Sequence, residues 1–152
     1  MLLLCDRDLT PVAPIERCVR WGYAQRANEL TTGEMVLAAG DPLVRRIRVP
    51  GSFVHAWDGA EDLGYFCVSG IASAKHAPRG TVTYSLQGAE ATLLRCMMAG
   101  WHEIGGTDCP TAQVMAYMLD RQRVRRWELG ECAFDDQYQY NFEDVTVLES
   151  LL

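Results

Sequence analysis

Residues Thr81–Gly100 read TVTYSLQGAEATLLRCMMAG, and a change of rhythm inside this stretch decides the fold class. Before Gly88 the residues alternate strictly. Val82, Tyr84 and Leu86 fall on one face, and Thr81, Thr83 and Ser85 on the other, the period of a half-buried strand. After Gly88 the apolar residues Leu93, Leu94, Met97 and Met98 recur at helical spacing, and Gly100 closes the run. The spacing therefore predicts a helix over 89–100. A boundary at this point gives an α+β protein. Residues 1–87 are expected to form a β-rich region, barrel-like or a meander, and residues 88–152 a smaller region of helix, helix, strand and helix.

Upstream of the boundary the signals are those of strands. LLLCD (2–6), RDLTP (7–11) and VAPIE (12–16) read as a small hairpin. CVRWGYAQ (18–25) alternates in part, ANELTTG (27–33) is a loop, and EMVLAA (34–39) is a further strand. GDPLVRRIRV (40–49) fits a short helical turn. SFVHAW (52–57) and YFCVSGIASAK (65–75) form a strand pair around a polar turn, DGAEDLG (58–64). APRG (77–80) suits a type I turn.

Downstream, WHEIGGTD (101–108) reads as a loop. CPTAQVMAYMLDRQ (109–122) opens a second helix, with Pro110 in its first turn and Val114, Met115, Met118 and Leu119 on one face. RVRRWELGECAFDD (123–136) is expected to carry a short strand. QYQYNF (137–142) alternates, with Tyr138, Tyr140 and Phe142 on one side. In NFEDVTVLESLL (141–152), Val145, Leu148, Leu151 and Leu152 share a helical face, and no glycine or basic last turn closes it. The expectation is that this helix continues in a longer product.

Composition narrows the function classes. The chain has 152 residues, 49% of them hydrophobic, enough to build a core. Its formal net charge is −6, opposite in sign to a duplex-binding surface. Of 14 basic residues only Lys75 is a lysine. No apolar run is long enough to cross a bilayer, and MLLLC is too short for a signal peptide core. A reducing cytoplasm is the expected setting. The six cysteines (Cys5, Cys18, Cys67, Cys96, Cys109 and Cys132) show no C-x-x-C spacing and read as buried thiols.

Chemistry-bearing patterns are sparse. His55, His76 and His102 lack ligands at the short spacings of a zinc site, so no metal and no cofactor is expected. A thiol enzyme would need Cys67 or Cys109 to meet His102 in space. Asp135 and Asp136 are adjacent and, on a strand, point to opposite faces. EIGGTD could place an anion at a helix start, but Asp108 repels it. Tyr138, Tyr140 and Phe142 could stack single-stranded nucleic acid, yet arginines are not interleaved with them. A core or protein-interface face fits them better. The candidate interface residues are Tyr138, Tyr140, Phe142, Leu148, Leu151 and Leu152, and no catalytic residue is expected.

The order of segments resembles a known family. LLLCDRDLTPVAPIE followed by VRWGYAQRANELTTGEMVLAA is similar to the start of the Gp37-like siphovirus tail proteins, through Leu4, Asp6, Leu9, Ile15, Trp21, Gly33, Glu34 and Leu37. The resemblance continues through Val82, Thr83, Gly88, Leu93, Leu94 and Arg95, the helix of GTDCPTAQVMAYMLD, and the strand pair and helix start of ELGECAFDDQYQYNFEDVTVLESLL. The Trp21–Gly33 segment is longer than the family pattern and lacks its double arginine. What the resemblance implies is structural work at a phage or prophage tail tip, as a baseplate-hub protein that adapts the tube to the tip. It implies a homo-oligomer, a trimer, contacts with the distal tail protein and other tail components, and a place in the virion tail after assembly in the host cytoplasm. It implies no catalytic residues, no nucleic acid and no membrane. The residues themselves leave two alternatives: a small thiol-dependent enzyme built on a Cys/His pair, and an aromatic-faced nucleic-acid-binding module.

Overall fold

The computed structural model describes residues 1–26, 29–74, 80–95, 97–105, 110–122, 127–131 and 139–146. The chain divides into two compact units, Met1–Ala89 and Glu90–Leu152.

The first unit is one antiparallel sheet. Its strands are β1 (Leu2–Cys5), β2 (Pro11–Pro14), β3 (Cys18–Ala24), β4 (Thr32–Ala38), β5 (Phe53–Asp58), β6 (Glu61–Ala74) and β7 (Thr81–Gly88). Their order across the sheet is β2-β1-β5-β6-β7-β4-β3, and every neighbouring pair is antiparallel.

That order dictates a rolled sheet. β2 and β3 lie at opposite edges, yet only Ile15, Glu16 and Arg17 separate them in the chain. Such a link reaches at most about 14 Å. A flat sheet of this width would hold its edges about 29 Å apart. The sheet must therefore curl until its edges approach. Because every neighbouring pair is antiparallel, β2 and β3 run in the same direction. The chain thus crosses the seam as one bent strand, pairing β1 with its first part and β4 with its second. Ile15 marks the crossing: its N–H still donates to the Leu2 carbonyl at 2.9 Å, and its side chain is buried. Ring contacts agree. Trp21 on β3 sits edge-on to Phe66 on β6, with centroids 5.2 Å apart, although β7 and β4 lie between those strands.

Rolling lets one face of a single sheet bury itself. Leu2, Leu4, Met35, Leu37, Val54, Ala56, Phe66, Val68, Val82, Tyr84 and Leu86 line this interior. The alternation read in TVTYSL holds for Val82, Tyr84 and Leu86. The link between β4 and β5 supplies a plug. Asp41 accepts the Leu43 N–H through Oδ1 at 2.8 Å and starts a 3-10 turn, Pro42–Arg45, which buries Leu43 in the same core. The β5–β6 turn is shorter than DGAEDLG implied, because Asp58 already pairs with Glu61.

The second unit corrects the α+β assignment. Among the described residues it holds a 3-10 helix (Ala89–Arg95, starting at the boundary), a two-stranded antiparallel ribbon of β8 (Met97–Gly105) and β9 (Gln139–Thr146), and a single α-helix, α1 (Thr111–Asp120). Among the described residues the fold is mostly antiparallel β-sheet with one α-helix, not an α+β arrangement ending in helix, helix, strand and helix.

The stretch that set the expectation contains the error. The helix over 89–100 is a 3-10 helix as far as Arg95, after which Met97 and Met98 enter a strand. A short apolar run satisfies either period, and long-range pairing with β9 decides it. The loop read at Trp101–Gly105 belongs to the same strand.

The closing helix fails at its start. Val145 lies in β9 and pairs with Met98, while Leu148, Leu151 and Leu152 lie outside the described residues. Asp144, at φ 49°, caps no helix. Its Oδ1 accepts the Gly100 N–H across the ribbon at 2.7 Å, where the register shifts. The expected helix from Cys109 appears as Thr111–Asp120, with Val114 and Met118 buried. Of the expected strand within 123–136, the described residues 127–131 form none.

Candidate functional site

The ribbon places two of the candidate interface residues. Tyr140 and Phe142 stack with centroids 6.1 Å apart and planes 4° from parallel. Their cross-strand partners are Ile104 and His102. His102 meets Tyr117 of α1 at 2.8 Å, so this face of the ribbon turns toward the helix, and Tyr140 and Phe142 are half-buried. They do not form an open stacking platform. Tyr138 lies outside the described residues. The opposite face of the ribbon is the exposed one: Trp101, 62% exposed, stands across from Glu143, and Glu103 across from Asn141.

Both ring nitrogens of His102 have partners among the described residues. A carbonyl only accepts, so Nε2 donates to the Ala99 oxygen at 3.0 Å, and Nδ1 accepts the Tyr117 hydroxyl. Cys109 lies outside the described residues. Cys67 is buried in the first unit, in a small cluster with Cys5 and Phe53 on the outer face of the sheet. Burial pushes the Cys5 thiol up. It does the same to Cys18, although the Cys18 Sγ donates to the Val36 and Arg20 carbonyls. A raised pKa lowers the thiolate fraction and with it reactivity.

A polar cluster that sequence reading missed sits on the outside of the β5–β6 hairpin. The His55 ring lies 3.6 Å from Trp57 and 4.0 Å from Tyr65, centroid to centroid. Its Nε2 donates to Asp62 Oδ1 at 2.8 Å, and the same oxygen accepts the Gly64 N–H at 2.8 Å. These two bonds, the backbone one first, hold the Asp62 carboxyl below its ordinary value. The signal was the hairpin register. His55 faces Tyr65 across the ladder, and Asp62, which the sequence pattern puts in a polar turn over 58–64, lies in β6.

Two surfaces of the first unit remain open. At the β3 edge no strand pairs on the far side among the described residues, and Val19 and Tyr23 are 60% and 42% exposed. The other edge, β2, begins and ends on proline, which cannot donate to a ladder. β3 carries no proline. It is held from one side by the β4 ladder and by an ion pair between Arg20 and Glu34. The second surface is a groove of about 690 Å³ where the β1–β2 turn meets the β4–β5 link, lined in part by Arg7, Arg45, Arg46 and Arg48.

Among the described residues, no group of three or more His, Cys, Asp or Glu side chains could hold a metal ion. No helix among them is long and apolar enough to cross a membrane. No protein-family model matches the chain, and no curated protein matches it.

Proposed function

We propose that this chain is a structural protein of a phage or prophage tail tip, similar in role to a baseplate-hub protein, and that it works by assembling with copies of itself and with neighbouring tail components. The observation that carries this reading is the open edge of β3. A rolled sheet that guards one edge with prolines, and beyond β3 pairs no further strand among the described residues, presents a row of main-chain donors and acceptors to a neighbouring chain. Val19 and Tyr23, exposed on that edge, supply apolar contact beside the ladder. The resemblance of the segment order to tail-hub proteins supports this reading, in which the edge is the contact between protomers of a trimeric ring.

The test is the mass of the purified chain by light scattering across a concentration series. Assembly to a closed species of three chains supports the reading. A strict monomer at every concentration overturns it.

A further inference from the structure

Charge is distributed unevenly along this chain. Residues 1–89 carry nine basic and nine acidic side chains, and residues 90–152 carry five and eleven, so the whole net charge of −6 belongs to the second unit. From residue 127 onward there are seven carboxylates and no basic side chain. The first unit is neutral in sum but not in pattern, because four of its arginines line one groove.

Main-chain bonds fix the backbone from which these arginines project. The Arg46 N–H donates to the Leu43 carbonyl at 2.8 Å. The Arg48 N–H donates to Ser52 Oγ at 2.9 Å, and the Ser52 N–H returns to the Arg48 carbonyl at 3.0 Å. Asp6 and Asp8 also line the groove. The Asp6 Oδ1 is occupied by the N–H groups of Asp8 and Thr10, at 2.9 Å each, and Asp8 stands 3.7 Å from Arg7. Among the described residues no carboxylate pairs with Arg45, Arg46 or Arg48, and all three are exposed. Exposed arginines that line one groove and, at 45, 46 and 48, have no carboxylate partner among the described residues fit a partner carrying carboxylates, and an aromatic ring can lie against guanidinium planes.

The outer face of the ribbon has that chemistry. Trp101 projects from it, Glu143 stands directly across the ladder, and Glu103 lies two residues further along the same face. We propose that the arginine groove of one copy receives the Trp101–Glu103–Glu143 face of a second copy, a head-to-tail contact between identical chains. The contact joins two different surfaces, so each bound pair keeps one groove and one ribbon face free, and the series ends only when a ring closes. The inference rests on the self-assembly reading above and adds to the β3 edge a second, charge-selective contact between copies.

The experiment uses two variants of the full chain, Arg45→Glu/Arg46→Glu and Glu103→Arg/Glu143→Arg, with light scattering at about 0.05 M and about 0.5 M salt. These side chains are exposed, and circular dichroism melts check that each variant folds. The wild type is expected to associate more weakly at high salt. Each variant alone is expected to associate about tenfold or more weakly than wild type, as lost pairs become like-charge contacts. An equimolar mixture of the two is expected to regain association, because reversed groove meets reversed ribbon. Wild-type association in the groove variant overturns the proposal and leaves the reading of self-assembly standing. Weakened variants that do not rescue each other overturn the ribbon as the partner surface. A wild type that never leaves the monomer overturns the proposal together with the reading it rests on.

Discussion

At the scale of single residues, the best-defined chemistry is the Asp62–His55 pair. Asp62 bridges the imidazole and the Gly64 N–H, and both bonds favour its charged form. A carboxyl with a lowered folded-state pKa gives stability that is fully present above the unfolded value, about 3.9, and is lost as pH falls through the folded value. The melting temperature of wild type should exceed that of Asp62→Asn near neutral pH, and the gap should close as the solution is acidified below about pH 4. Thermal melts at a series of pH values check this. A gap that does not depend on pH would assign the difference to packing.

This pair was hidden in the sequence because its partners come from two strands whose register only the hairpin turn sets. The alternation of SFVHAW was visible, but which β6 residue faces His55 depends on where the hairpin turns. Reading DGAEDLG as one long loop put Asp62 out of reach. The arginines at 45, 46 and 48 lie close together in a segment that reads only as a short helical turn. Their meeting with Arg7 was not legible, since it requires the β1–β2 turn to arrive beside the β4–β5 link.

At the scale of elements, local pattern succeeded where burial on one face was complete and failed where pairing decided. β7 was legible because Val82, Tyr84 and Leu86 all enter one core. β8 was not legible, because the glycines at 100 and 105 and the two methionines fit either a helix end or a strand, and β9 lies more than thirty residues away along the chain. Gly33 lies close against β3 in the β3–β4 pair. A Cβ there would lie 3.0 Å from the Gly22 carbonyl oxygen and 3.5 Å from the Tyr23 Cβ. Gly33→Ala should destabilise the first unit by about 1–3 kcal/mol, the usual cost of forcing an extra methyl into a packed site. Urea denaturation with an unchanged slope would register it. An unchanged midpoint would mean that β3 can draw back from β4.

At the scale of the molecule, the barrel follows from one fact of topology, the link from Pro14 to Cys18 that joins the two edges of the sheet. No local pattern carries that information, since hydrophobic alternation marks each strand but not its neighbours. The roll is held from inside by Phe66, which is 2% exposed and meets Trp21 and Tyr23 edge-on. Phe66→Ala should cost about 3–5 kcal/mol, the loss expected when a buried ring is truncated. If the sheet were open and flat, Phe66 would not touch β3, and the substitution would leave the environment of Trp21 unchanged in fluorescence.

Among the described residues the same roll leaves β3 as the edge with no further strand, on which the proposed assembly depends. Val19→Lys, at a side chain 60% exposed, should lower the assembled mass without changing the fold, because charge on an edge strand blocks the approach of another chain.

Amide hydrogen exchange along β3, followed as protein concentration rises, tests the assembly account most directly. The account predicts that amides of residues 19–24 gain protection as the chain associates, more than those of the proline-bounded β2. Exchange at β3 that is the same in the dilute and the concentrated protein would contradict it.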